Sequence, residues 1–106
     1  MTTLSDKIKR YRKEKGLTLE QLGELTGSSK SYMWELENRN SPRPSAEKIA
    51  RIAAALGLTP EFLMDDERDS PEPNDIDLAF FRKYQKMPGD TKKRLRQILD
   101  AWDEPE

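Results

Sequence analysis

Lys30, Ser31, Trp34, Glu35 and Asn38 fall on one side of a short helix expected over residues 30–38, while Met33 and Leu36 fall on the other. An ammonium, a hydroxyl, an indole, a carboxylate and an amide on one exposed rod make a hydrogen-bonding surface, not a reaction centre. The chain has no cysteine and no histidine. Thiolate sites, disulfides, histidine–metal sites and Ser-His triads are therefore excluded. The many Asp and Glu residues fall on expected solvated faces or in an acidic stretch, with no apolar cleft to shift their pKa values. No enzymatic activity, metal or cofactor is expected.

The elements that must position this rod are legible from residue 17 onward. Thr18 and Gln21 fit a capping box, Gly27 stands where a helix stops in a left-handed conformation, and Ser29 is an N-cap for the next helix. Two short helices, about Leu19–Thr26 and Lys30–Asn38, are thus broken by one tight turn. Leu22 and Leu25 are expected to face inward on the first, Met33 and Leu36 on the second. That is a helix-turn-helix, whose second helix can lie in a DNA major groove.

Around this pair the spacing predicts an all-α head over residues 1–64. A first helix runs from about Ser5 to Lys15, with Leu4, Ile8 and Tyr11 on one face, and Gly16 ends it. Asn38 to Pro44 reads as a loop. Ser45 caps a fourth helix with Ile49, Ile52, Ala53 and Leu56 at i, i+3, i+4, i+7, closed by Gly57. Thr59-Pro60 opens a short fifth helix, whose Phe62 and Leu63 plug the base of the core. Residues 65–75 then carry six acidic residues and two prolines without a large apolar residue, and read as an extended, solvated linker.

Residues 76–106 predict a helical hairpin: Ile76–Lys86, a turn at Pro88-Gly89-Asp90, and Thr91–Trp102. Ile76, Phe80, Phe81 and Tyr84 on the first helix, and Leu95, Ile98, Leu99 and Trp102 on the second, form apolar stripes that two helices cannot fully bury in each other. Dimerisation through these residues is the expected cover, and folding of the hairpin back onto the head is the alternative. Charge follows the same division. Residues 1–64 hold eleven basic and eight acidic residues, net +3, and residues 65–106 hold eight and twelve, net −4. A basic head on an acidic tail suits a nucleic-acid-binding unit joined to something that does not touch phosphate. No apolar run approaches the length of a membrane span and no signal-peptide pattern is present, so a cytoplasmic protein is expected.

Residues 4–64 resemble the Cro and phage-repressor (XRE-type) helix-turn-helix family of bacteria, phages and plasmids. The matching residues are Ile8, Arg12, Gly16-Leu17-Thr18, Leu22, Gly27, Ser29, Leu36-Glu37-Asn38, Pro44 and Leu56-Gly57-Leu58-Thr59-Pro60 with Phe62-Leu63. The resemblance implies a five-helix DNA-binding domain and a transcriptional regulator, most simply a homodimeric repressor of a palindromic operator in double-stranded DNA. It implies an ion pair between Arg12 and Glu37. It places Lys30, Ser31 and Glu35 at base edges, with Trp34 beside them, and sets Ser29, Asn38, Arg39, Asn40 and Arg43, together with Lys9, against the DNA backbone. Glu35 would accept from a cytosine amino group, and Trp34 would either pack on a thymine methyl or a sugar edge or fill a gap beside the first or fourth helix. Gly23 stands where the family usually has alanine. The tail is similar to C-terminal hairpins that multimerise or meet a regulatory protein, so an antitoxin-like, partner-regulated interaction protein is the alternative function.

Overall fold

The computed structural model describes residues 2–39 and 43–103, and over these the chain is all-helical. Five helices build the head: α1 (Leu4–Glu14), α2 (Leu19–Thr26), α3 (Lys30–Asn38), α4 (Ala46–Leu56) and α5 (Pro60–Met64). Thr3, Thr18, Ser29, Ser45 and Thr59 each accept a backbone N–H from the first turn of the helix they precede. Each oxygen satisfies a donor that the helix geometry leaves unpaired, which is why the five starts lie where they do. Thr18 and Gln21 complete a reciprocal capping box.

The apolar faces converge on one core of Ile8, Tyr11, Leu22, Met33, Leu36, Ile49, Ile52, Ala53, Leu56, Leu58, Phe62 and Leu63. α2 departs from expectation. Leu25 is 60 % exposed, and Thr26 takes the inward place. The reason lies in the turn. Gly27, at φ 69°, closes α2 so tightly that a Cβ on Gly23 would lie 2.6 Å from the Ser28 carbonyl oxygen. The face turned to the core is therefore Leu22, Gly23 and Thr26, with the Thr26 hydroxyl donating to the Leu22 carbonyl at 2.8 Å.

The acidic stretch is exposed over most of its length, as a solvated linker would be, but it is tied to the head and its end is helical. α6 (Pro73–Gln85) already begins at Pro73, so residues 73–75 are helical. The preceding residues are tied to α1. The Tyr11 hydroxyl and the Arg10 guanidinium donate to the Asp69 carbonyl, and the Thr2 hydroxyl meets the Asp69 carboxylate. Arg68 joins Asp65 at 3.1 Å to Asp75 at 2.6 Å, and Arg82 on α6 grips Glu61 on α5 with two hydrogen bonds. A run of acids reads as solvated, but here the local arginines bind it.

These contacts predict an acid-sensitive strap. Hydrogen bonds from Arg82, Thr2 and Arg68 hold the Glu61, Asp69 and Asp75 carboxyls below their ordinary range. Depressed carboxyls contribute stability above their unfolded pKa and lose it as pH falls through the folded one. Amide hydrogen exchange in residues 66–78 is therefore expected to rise once the pH drops below about 4, near the ordinary carboxylate range. The α2–α4 core amides stay protected. Simultaneous loss of both would show that no separate strap exists.

α6 and α7 (Gly89–Trp102) contain no buried residue. Phe80, Phe81, Ile76, Ile98 and Leu99 are each about half exposed, and Trp102 is 78 % exposed. Tyr84 and Leu95 are half-buried, Tyr84 at the corner where Arg96 donates to its hydroxyl. The stripes are thus not folded back onto the head. The molecule is accordingly long, 51 × 28 × 23 Å, with a radius of gyration of 15.6 Å against about 13 Å for a compact chain of this size.

Candidate nucleic-acid interface

α3 is fixed from behind and open in front. Met33 and Leu36 are buried in the core, and the next inward position is an ion pair. Arg12 on α1 reaches Glu37 with both arms of its guanidinium, Nε to Oε2 at 2.6 Å and Nη2 to Oε1 at 3.0 Å. Its remaining nitrogen donates to the Leu17 carbonyl at 2.8 Å. The Glu37 side chain is 1 % exposed and that of Arg12 12 %. The hydrogen-bonded carboxylate raises the Arg12 pKa above its usual value, so the guanidinium keeps its charge. A two-pronged geometry fixes orientation as well as distance, and it locks the roll of α3 about its axis.

The outer face of α3 carries Lys30, Ser31, Trp34, Glu35 and Asn38, all exposed, and Arg39 stands at its end. Ser29 caps the N-terminus through the Tyr32 N–H at 3.1 Å, leaving the earlier N–H groups of the first turn directed outward. Lys9 is exposed on α1, and Arg43 is exposed before α4. Asn40 lies outside the described residues. One helix therefore brings together the four candidate base readers with Ser29, Asn38 and Arg39, while Lys9 and Arg43 stand on other elements.

Two lysines counted in the basic excess of the head do other work. The Lys7 ammonium is wholly buried, donating to the Phe62 carbonyl at 2.7 Å and the Asp65 carbonyl at 2.5 Å, over the face of the Phe62 ring. Burial pushes its pKa down, against the pull of Asp65 and Asp66. Lys48 donates to the Thr26 carbonyl at 3.0 Å and the Ser28 hydroxyl at 2.5 Å, pinning the turn ahead of α3. Lys7 thus ties α1 to α5 and the residue after it, and Lys48 braces the turn that leads into α3. The sequence holds a signal for Lys7: it sits at i+3 from Leu4, on the stripe of Ile8 and Tyr11.

Residues 3–65 match the helix-turn-helix domain family. Among curated proteins, the chain is 29 % identical over 99 residues to the HTH-type transcriptional regulator SinR of Bacillus subtilis, covering 92 % of this chain and 89 % of that one. It is 35 % identical over 65 residues to the immunity repressor protein of Bacillus phage phi105, covering 61 % and 44 % of the two chains. Among solved structures, the crystal structure of SinR, the master regulator for biofilm formation, in complex with DNA superposes with a TM-score of 0.56 at 35 % identity, over 59 % of this chain and all of that one. A SinR protein/SinI protein complex superposes with a TM-score of 0.58 at 28 % identity, over 94 % of each chain.

Proposed function

The chain belongs to the XRE-type helix-turn-helix family of transcriptional regulators, and from that premise we propose that it is a homodimeric repressor whose two α3 helices read a near-palindromic operator. The observation that carries this reading is the arrangement of α3, whose inner face is locked by the Arg12–Glu37 pair while its outer face stands open. Lys30, Ser31 and Glu35 meet base edges, with Trp34 on the same face. Ser29, Asn38, Arg39, Asn40, Arg43 and Lys9 hold the sugar-phosphate walls. No helix among the described residues is long and apolar enough to cross a membrane; the likeness to transcriptional regulators of Bacillus and its phage supports a cytoplasmic protein that acts by binding DNA.

Selection of bound duplexes from a random pool tests the reading. Enrichment of two inverted half-sites about one helical turn apart, roughly 34 Å, is expected. A pool with no enriched sequence would overturn it. On the selected site, Lys30→Ala should cost about 1–3 kcal/mol and relax preference at one base pair, whereas Arg43→Ala should weaken all sequences alike and lower the salt slope by about one. Fluorescence anisotropy titrations on the site and on single-base variants distinguish the two behaviours.

A second reading places a regulatory protein on α6 and α7. It is favoured by the likeness of 94 % of the chain to SinR in its complex with SinI and by the exposed stripes. Copurification of a one-to-one partner that protects residues 76–102 from proteolysis would support it.

A further inference from the structure

Arg39 is the first residue beyond α3. In a continued helix its side chain would project about 140° around the axis from Trp34. The helix stops instead. The Asn38 side-chain amide donates to the Trp34 carbonyl at 3.0 Å, and Arg39 adopts an extended backbone, φ −128° and ψ 153°, while its N–H still donates to the Glu35 carbonyl at 2.9 Å. This turn brings the guanidinium carbon to 5.4 Å from the centre of the Trp34 ring, within the range at which the indole face attracts a cation. Trp34 is 43 % exposed, and none of the ion pairs among the described residues involves Arg39. Among the described residues, the indole is thus the group found against this long side chain.

We propose that Trp34 is a positioning residue that holds Arg39 against the outer side of α3 and directs its guanidinium to a DNA phosphate, and that it is not itself a base reader. The inference rests on the DNA-binding reading above and refines it. One ring face already carries the arginine. An arginine restrained before binding loses less rotamer freedom when it meets the anion.

The test uses the full chain, the selected duplex and a duplex of arbitrary sequence, with affinity measured by anisotropy over a KCl series. Arg39→Ala is expected to lower the slope of log affinity against log salt by about 0.9, the value for one phosphate contact. Trp34→Ala should lower it by the same amount on both duplexes. The double variant should fall no further than either single one. Trp34→Phe, which keeps an aromatic face, should restore the slope. Melting temperatures should not move, since both side chains lie on the surface. The proposal is overturned if Arg39→Ala leaves the slope unchanged, if Trp34→Ala retains the slope while losing preference at a single base pair, or if the double variant loses the sum of both effects. Failure of the wild-type chain to bind either duplex would instead bring down the DNA-binding reading, and this proposal with it.

Discussion

Arg12→Met is expected to cost about 3–5 kcal/mol of stability, the range for stripping one partner from a buried ion pair. The Glu37 side chain is 1 % exposed and takes both of its close hydrogen bonds from Arg12. Removing the guanidinium strands a carboxylate among Met33, Leu36 and α1, and it also leaves the Leu17 carbonyl without its donor. A helical head of about 60 residues folds with little to spare, and whole domains carry only about 5–15 kcal/mol. The variant should be largely unfolded at growth temperature, with DNA binding lost as a consequence. Urea unfolding followed by circular dichroism gives the midpoint. Arg12→Met with Glu37→Leu should recover more than half of the loss, because two apolar groups leave no buried charge behind. A single variant that costs less than about 1 kcal/mol, the worth of an exposed pair, would show that α3 is oriented by its apolar contacts alone.

The contrast between Arg12 and Lys7 shows what can be read from the chain. Capping residues act within one turn, so Thr18 with Gln21, Ser29, Ser45 and Thr59-Pro60 announce their helices locally, and all of these starts stand in the fold. Burial depends on what approaches from elsewhere. Lys7 is enclosed because α5 lays the Phe62 ring and two carbonyls over it, 55 and 58 residues away in the chain. Leu25 is expelled because Gly23 lets the turn come close, which no periodicity count contains. The acidic stretch is tied down by Arg68, whose partners stand three and seven residues from it, yet composition alone describes a solvated run. Arg39 meets Trp34 only because the helix ends between them. Helical faces are therefore legible apart from Leu25 on α2, and of the side-chain ties between elements only Arg12–Glu37 is expected, through the family resemblance and not from periodicity.

The apolar stripes of the tail yield the other large effect. Phe80 and Ile98 are each about half exposed, on the same stripes as Phe81, Leu99 and Trp102. A side chain of this size contributes about 1.5–3 kcal/mol when fully buried rather than exposed, so several of them together can hold a homodimer once a second copy covers them. Phe80→Glu with Ile98→Glu would set a carboxylate in each stripe and should convert the dimer to a monomer in sedimentation equilibrium. Neither residue belongs to the core of the head, so the head should unfold at its wild-type urea midpoint. Operator affinity should fall by about 10²–10⁴, the gain that linkage of two binding units confers, while affinity for a single half-site should not change. These two measurements separate the roles of head and tail: a variant that stays dimeric would move the interface to the head, and a monomer that keeps full operator affinity would mean that one α3 suffices.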